Sequence, residues 1–296
     1  MKKTYSSDVN IENFFHNGKV ENPLFLKKHL ITYIGNKRKL LNLIEKSIKI
    51  IKSDTGKEKF SFFDGFSGSG VVSRALKQHA NLIISNDLEP FTVPISKCFL
   101  SNTTDIDSAI LNKEFNYLNT ELEDHKLKEG FITELYSPKD ENNINYDDRV
   151  FYTRRNAMYL DTARQLMEEL EYKNLFLAPL LSKASIHVNT SGVFKGFYKD
   201  KNTKKGKFGG TNSNALTRIK SNIYVEKPVL SNFNVDYRVY NDDVNEVVDN
   251  IPNVDIAYYD PPYNQHPYGS NYFMLNLITE NKRPSNISKV SGIPKK

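Results

Sequence analysis

The chain has 296 residues, of which 39% are hydrophobic and 26% charged, so we expect a sizeable folded core and exclude wholesale disorder. Its formal net charge of +6 permits a polyanionic partner, and its single cysteine excludes an internal disulfide and a cysteine-rich zinc site. Neither a signal-like apolar segment near the N-terminus nor a run of membrane-spanning length is visible. We therefore predict a cytoplasmic protein with no membrane partner.

The first recognisable pattern follows a polar N-terminal extension, residues 1–30. Residues 33–39 read Y-I-G-N-K-R-K, and apolar residues at helical spacing follow from Leu40 to Ile51, which predicts a helix. Three cations sit unfavourably at the positive N-terminus of a helix. The pattern therefore favours an anionic ligand near Lys37, and a solvated first turn is the alternative.

A glycine loop comes next. The aromatic run 59–64 predicts a strand that ends at Asp64, G-F-S-G-S-G follows at 65–70, and a helix is predicted from Val71. Strand, glycine loop and helix open a nucleotide-binding unit, because glycines let the backbone approach a ligand and the helix N-terminus offers free N–H groups. The spacing matches neither the dinucleotide G-x-G-x-x-G loop nor a phosphate-binding loop. A plain strand–helix turn is the alternative.

A second predicted strand, 81–85, ends in Asn86-Asp87. An acid at the end of the second strand is placed to accept hydrogen bonds from ribose hydroxyls. A helix N-cap is the alternative role for this acid.

The stretch from about 100 to 230 has another character. Residues 147–172 and 174–188 predict helices, and the segment 195–220 then carries eight cations against one acid, Asp200. The interleaved aromatic residues are Phe194, Phe197, Tyr198 and Phe208. Such a hairpin suits phosphate contact and base stacking, and a solvated charged loop is the alternative. The predicted DNA-binding residues are Lys195, Lys199, Lys204, Lys205, Lys207 and Arg218.

Two further strands are predicted near the end of the chain. Residues 233–240 alternate and end in Asn241-Asp242-Asp243, and the apolar run 254–259 predicts a buried strand that enters Asp260-Pro261-Pro262-Tyr263. Because proline lacks an N–H, this turn presents only acceptors, with an aromatic ring beside them. It suits a flat molecule that bears an NH2 group, and an ordinary turn is the alternative.

These motifs, in this order, resemble those of the amino-group adenine-specific DNA methyltransferases of restriction–modification systems, in the arrangement where the recognition region precedes D-P-P-Y. The resemblance begins near residue 30 and includes N-Q-H-P-Y-G-S-N-Y at 264–272. It implies an α/β fold with a Rossmann-like sheet. It also implies a catalytic domain at 31–100 and 231–296 and a helical and hairpin recognition insert at 101–230.

The resemblance also implies S-adenosylmethionine as the methyl donor and a flipped adenine in double-stranded DNA as the acceptor. The implied cofactor-binding residues are Tyr33, Lys37, Asp64, Phe66, Gly68, Gly70 and Asp87, with Asp242 or Asp243 on the cofactor's adenine. The implied catalytic residues are Asp260, Pro261, Pro262 and Tyr263, of which Asp260 and the Pro261 carbonyl would bind the target amino group. Gly65 departs from the proline common in such loops, and no metal is predicted.

A larger departure concerns the sheet. The family's sheet has seven strands, three of which normally follow D-P-P-Y, whereas we find only four candidate strands. The strand that carries Asp260 would then lie at an edge, which is a liability for pairing. We therefore hypothesise that the chain is an N-terminal portion of an enzyme, either a truncated reading frame or one part of a split enzyme that a second polypeptide completes. A cognate restriction endonuclease is a further candidate partner.

Three alternatives to adenine methylation stay open from the sequence. A turn that presents only hydrogen-bond acceptors beside an aromatic ring also suits the amino group of cytosine. A truncated or split methyltransferase could bind DNA or a partner without transferring a methyl group when alone. A nicotinamide-dependent dehydrogenase is the weakest alternative, because it leaves the basic insert unexplained.

Overall fold

The computed structural model describes residues 15–16, 19–263 and 268–295. Its strands are β1 (Phe15–His16), β2 (Lys19–Val20), β3 (Phe60–Asp64), β4 (Ala80–Asn86), β5 (Asp236–Tyr240) and β6 (Ile256–Tyr258). Its helices are α1 (Leu41–Thr55), α2 (Val71–Leu76), α3 (Thr92–Leu100), α4 (Ser108–Glu121), α5 (Phe131–Tyr136), α6 (Arg154–Met167), α7 (Lys173–Ile186), α8 (Leu216–Lys220), α9 (Val244–Val248), α10 (Tyr268–Asn271) and α11 (Phe273–Glu280).

Four parallel strands form the central sheet in the order β5-β4-β3-β6. All four predicted strands are therefore present, and the α/β prediction is confirmed. In the register, Phe63 of β3 lies opposite Ile84 of β4 on one side and Ala257 of β6 on the other. The strand order places the strand that leads to Asp260 at an edge of the sheet that the structure describes, as expected.

The two faces of the sheet are covered unequally. Phe62 and Ile83 point into the main core, where they share a cluster with residues of α1, α2 and α3. The opposite face carries a small cluster of Phe63, Ile84 and Val247, and the last of these belongs to the short helix α9. Because side chains alternate along a strand, the second face is apolar along β3 and β4, and α9 with its neighbouring residues buries Phe63 and Ile84 there.

The prediction of a buried strand over 254–259 is wrong. β6 is shorter than predicted, Ala257 is exposed, and the Tyr259 ring just after it is 53% exposed. The reason lies in the position of the strand. Within the described residues β6 pairs with β3 alone, and its outer face has no helix over it.

The predicted insert packs tightly against the catalytic sheet. Helix α7, which contains Pro179 as predicted, is apolar nearly all round, and Leu175 to Leu181 are buried. Phe176 stacks on Phe115 of α4 at 6.4 Å between ring centroids, and Cys98 of α3 contacts the Leu175 carbonyl. The predicted division into catalytic and recognition parts stays a prediction, but both share the main core.

Part of the predicted N-terminal extension also belongs to this body. Phe25 is fully buried, and the Arg74 guanidinium lies between the Phe25 and Phe99 rings, 4.7 and 3.9 Å from their centroids. The boundary at residue 30 therefore does not mark the edge of the folded core. Among the described residues, no helix combines the length and the apolar character that crossing a membrane requires.

Candidate active site

The site lies at the carboxyl ends of the parallel strands, where ligands of open α/β sheets bind. β3 ends at Asp64 and runs into the glycine loop, β4 ends just before Asp87, and β6 leads to Asp260. Because the strands are parallel and adjacent, three motifs that are distant in sequence meet at one edge of the sheet.

Backbone conformation explains two of the loop glycines. Gly68 and Gly70 have φ values of +50° and +71°, in the left-handed region that side chains disfavour. A Cβ on Gly68 would lie only 2.8 Å from Cε1 of Tyr33, so this glycine also makes room for that ring. Phe66 lines the same cavity as Tyr33. The structure thus joins the first predicted motif to the second.

Asp87 is held in place by this loop. Its carboxylate accepts hydrogen bonds from the Gly68 N–H at 2.8 Å and from the Glu89 N–H at 2.9 Å. The side chain lines the cavity although only 8% of the residue is exposed, and burial raises the pKa of Asp87 to about 6. A fixed carboxylate at this place can accept further hydrogen bonds from a ligand.

Asp64 lies in a different position from the other predicted cofactor residues. It is buried beneath the loop, accepts a 2.6 Å hydrogen bond from the Ser73 hydroxyl, and is not among the residues that line the cavity. Burial raises the pKa of this carboxyl to about 7. The geometry gives Asp64 a role in holding the loop to α2 and shows no path for its direct contact with a cofactor.

Lys37 connects the first motif with D-P-P-Y. Its ammonium group forms an ion pair with the Asp260 carboxylate and donates to the Gly35 carbonyl at 2.9 Å. It also lies 5.8 Å from the centroid of the Tyr263 ring, which is 68% exposed. Asp260, Pro261, Pro262 and Tyr263 all line the cavity, so the predicted catalytic turn faces the predicted cofactor loop.

The structure distinguishes Asp242 from Asp243, which the sequence does not. The Asp243 carboxylate caps α9 by accepting from the Asn245 N–H at 2.9 Å, whereas Asp242 is held by its backbone, which exchanges hydrogen bonds with the Asn86 side chain. Its carboxylate accepts only the neighbouring Asp243 N–H among the described residues. Asp242 is thus the better placed of the two to receive a ligand.

The helices after D-P-P-Y contribute residues that the sequence reasoning missed. The Tyr272 hydroxyl accepts the Ile34 N–H at 2.7 Å, and Asn276 donates to Glu89 at 2.7 Å and accepts the Phe91 N–H at 3.1 Å. Tyr268, Asn276 and Glu89 line the cavity. The signal was present as polar residues at positions 268, 272 and 276, a four-residue spacing that puts them on one side of a helix.

The cavity that these motifs enclose has a volume of about 1160 Å³. Pockets for a single small ligand occupy roughly 300–1,000 Å³. Two guests therefore have room side by side, one near Asp87 and one near Asp260. Residues 264–267, which belong to the predicted continuation of D-P-P-Y, lie outside the described residues.

The basic segment forms a small hairpin closed by a bridge between Lys199 and Gly206. Its single acid, Asp200, accepts from the Asn202 and Thr203 N–H groups at 2.9 Å, so this carboxylate is used in the turn. The predicted DNA-binding lysines in and beside this hairpin are exposed or half-buried. They are Lys195, Lys199, Lys204, Lys205 and Lys207.

Two expectations for this segment fail. Phe194 is 2% exposed and Phe197 packs edge-on against Phe151, so these rings anchor the hairpin and are not available to stack on bases. The Arg218 guanidinium donates to the carbonyls of Ile186, Val188 and Thr190, which ties α8 to the end of α7. Three of the five N–H donors of the half-buried Arg218 already have carbonyl acceptors, which gives this residue a structural role and argues against the predicted DNA contact.

Comparison with known proteins then decides the family. A model of the D12 class N6 adenine-specific DNA methyltransferases matches residues 33–290. The chain belongs to this family. It is an adenine-specific DNA methyltransferase, which the order and geometry of its motifs also support. Since the family is defined by the N6 amino group of adenine, neither the cytosine alternative nor the dehydrogenase alternative is retained.

The relatives of this methyltransferase include two proteins of which the match covers more than two thirds. Type II methyltransferase M.NlaIII of Neisseria lactamica is 30% identical over 259 residues, which cover 84% of this chain and 69% of the relative. Type II methyltransferase M.CviAII of Paramecium bursaria Chlorella virus 1 is 32% identical over 277 residues, covering 89% and 73%. Type II methyltransferase M.FokI of Planomicrobium okeanokoites is longer, so a 28% identical match over 260 residues covers only 36% of it.

Proposed function

We propose that this adenine methyltransferase takes its methyl group from S-adenosylmethionine and acts as the modification enzyme of a restriction–modification system on double-stranded DNA. A cognate restriction endonuclease is the partner that such a role implies. The observation that carries the proposal is the single cavity lined by the glycine loop, Asp87 and the D-P-P-Y turn. In this cavity, the edge of the sheet that we propose binds the nucleoside of the cofactor lies next to the turn that we propose accepts the hydrogens of the adenine amino group.

The residues of the cavity fit this methyl donor. Asp87 offers acceptors for ribose hydroxyls, and Gly68 and Tyr33 give a narrow contact surface beside it. Lys37, which also pairs with Asp260, offers a cation for the carboxylate of the methionine moiety. Asp242 lies outside the lining of this cavity, and its carboxylate offers an acceptor for the amino group of the cofactor's adenine. When bound, S-adenosylmethionine supplies a methyl group that its sulfonium already activates for transfer.

The catalytic turn acts on the other reactant. The lone pair of the adenine N6 is delocalised into the ring, so the amino group is a poor nucleophile. In our proposal the Asp260 carboxylate and the Pro261 carbonyl accept its two hydrogens, which favours a pyramidal nitrogen and frees the lone pair. Tyr263, exposed at the rim, stacks on the flipped base and holds N6 in line for attack.

Mapping methylation on DNA tests the proposal. The protein is incubated with labelled S-adenosylmethionine and a pool of varied duplexes, which are then digested to nucleosides, and we expect N6-methyladenine within one short sequence. Asp260→Ala should lower the methylation rate by a factor of at least about 10³, because the main acceptor for the amino hydrogens is lost. DNA affinity should change little in the same variant. Label on cytosine, or none on DNA, would contradict the proposal.

The open edge of β6 supports a second part of the proposal. The strand that leads to Asp260 has one hydrogen-bonded neighbour among the described residues, and Tyr259 beside it is half exposed. We propose that a further strand pairs with this edge in the active enzyme, supplied by a second polypeptide or by additional chain. Such pairing would satisfy the open backbone groups of β6 and stiffen the D-P-P-Y turn.

A further inference from the structure

The segment from Lys282 to Lys295 forms a second hairpin, which we call the C-terminal hairpin. Helix α11 ends at Asn281, whose φ of +51° turns the chain. A bridge between Ile287 and Pro294 closes the hairpin, and hydrogen bonds from the Ser288 N–H to the Ile293 carbonyl (2.9 Å) and from the Lys295 N–H to the Asn286 carbonyl (3.0 Å) support it. The backbone of this segment is therefore ordered.

The hairpin is also fastened to the rest of the protein. The Arg283 guanidinium makes a two-pronged ion pair with Glu134 of α5, at 2.5 and 2.6 Å. The Tyr136 hydroxyl donates to the Gly292 carbonyl at 2.8 Å, and a Cβ on Gly292 would lie 2.7 Å from Cδ of Arg149. This close approach requires glycine, so the hairpin has a fixed seat on the protein.

From that seat the hairpin forms a wall of the active-site cavity. The D-P-P-Y turn and the glycine loop supply other parts of the lining. None of the hairpin residues that line the cavity was among the predicted site residues. The hairpin contributes residues 282–286 and 293–295 to this lining.

The charge of the hairpin is one-sided. Residues 281–295 include four cations and no Asp or Glu. Glu134 neutralises one of them, Arg283. The other three are Lys282, Lys289 and Lys295, which are exposed and have no ion pair within the described part of the chain. Lys282 and Lys295 line the cavity and Lys289 does not, so two uncompensated cations at the cavity favour an anionic partner there.

We propose that the C-terminal hairpin binds the phosphates that flank the extruded adenine, as a DNA contact separate from the basic hairpin at 199–206. This inference rests on the proposed action on duplex DNA. Extrusion rotates a nucleotide about its backbone, so the neighbouring phosphates come to the mouth of the base-binding cavity. Lys282 and Lys295 lie on that rim, where they compensate this charge and hold the base near Asp260.

The test uses the triple variant Lys282→Ala, Lys289→Ala and Lys295→Ala, with a duplex that carries the methylated sequence. Each lost phosphate contact should reduce the slope of log K against log salt by about 0.9, so we expect a reduction of roughly 2–3. Fluorescence of 2-aminopurine at the target position should also fall, because fewer bases are held outside the stack. The triple arginine variant, which keeps the charges, should restore both values.

Two controls separate the inference from folding defects and from the proposed function. The variant Lys46→Ala, Lys113→Ala and Lys128→Ala removes three exposed cations that do not line the cavity, so it should leave both values unchanged. Affinity for S-adenosylmethionine should be the same in every variant. Wild-type slope and fluorescence in the hairpin variant would overturn the inference, whereas a wild-type protein that methylates no DNA would overturn the proposed function.

Discussion

At the scale of single residues, Lys37 shows how closely the two halves of the site depend on each other. Its ammonium group contacts Asp260 and the Gly35 carbonyl and lies near the Tyr263 ring. The carboxylate that we predict to be catalytic therefore has a defined position, set by a residue of the first motif. A carboxylate held in one orientation needs less rearrangement to accept the hydrogens of an amino group.

We predict that Asp87 makes the affinity for the proposed methyl donor depend on pH. Burial raises the pKa of its carboxyl to about 6, and only the ionised form is a full acceptor for ribose hydroxyls. Affinity for S-adenosylmethionine should therefore be highest above pH 6 and fall as the pH drops through that value, by roughly tenfold near pH 5. Isothermal titration calorimetry between pH 5 and 8 measures this.

Two variants assign the pH effect to the correct carboxyl. Asp87→Asn should bind the donor weakly at every pH, without the fall below pH 6. Asp64→Asn should retain the fall, because the Asp64 carboxyl lies under the loop and outside the cavity lining. An affinity that stays constant from pH 5 to 8 in the wild-type protein would contradict the role of Asp87.

At the scale of elements, the basic hairpin closed by Lys199 and Gly206 is anchored at its base and charged at its tip. Buried Phe194 donates its N–H to the Asn271 carbonyl at 2.8 Å, which fastens the hairpin beside α10 and hence near the cavity. Lys204 and Lys205 lie exposed at the turn. Phe194 and Phe197 hold the hairpin, so we expect the lysines to contribute to DNA binding through charge.

Replacing Lys204, Lys205 and Lys207 by alanine should weaken DNA binding and reduce its salt dependence. Each phosphate contact contributes about 0.9 to the slope of log K against log salt, so a loss of roughly 2–3 is expected. Replacing the same three residues by arginine should preserve the slope, since the charges remain. If the alanine variant binds like the wild type at low salt, the hairpin does not contact DNA.

At the scale of the whole molecule, the sheet is asymmetric. One face packs on a large core shared with α6, α7 and α11, and the other carries the small cluster around Phe63. At one edge of the described sheet lies β6, and Tyr259, which follows this strand, is half exposed. An apolar edge of this kind is a template for pairing with another strand.

The exposed edge should make the protein self-associate when no partner covers it. We expect the apparent mass in light scattering to rise with concentration in the micromolar range, and Tyr259→Lys to suppress that rise by placing a charge on the apolar face. Tyr146→Lys, at a site 69% exposed in a loop, is the matched control and should have no effect. A wild-type chain that stays monomeric and fully active would show that β6 needs no neighbour.

Much of the site was predictable because its motifs are local. The glycine loop, the acid after the second strand and D-P-P-Y each depend on a few adjacent residues with distinct backbone chemistry. The periodicity of the strands predicted that all three motifs lie at the carboxyl ends of strands. In a parallel sheet these ends lie at the same edge, so the motifs were expected to meet there. The ring of Phe194 was misjudged because an aromatic residue looks the same in sequence whether it anchors a loop or stacks on a base.

By itself the sequence determined the family, the four strands and the carboxyl-end location of the site, and it predicted D-P-P-Y as the catalytic turn, which stays a prediction. Only the tertiary structure showed that Lys37 pairs with Asp260 and that Asp243 serves as a helix cap. It alone revealed that β6 is half exposed and that the C-terminal hairpin walls the cavity. The physical reason is that backbone preferences and periodicity are written locally, whereas pairing, burial and charge compensation depend on contacts between distant segments.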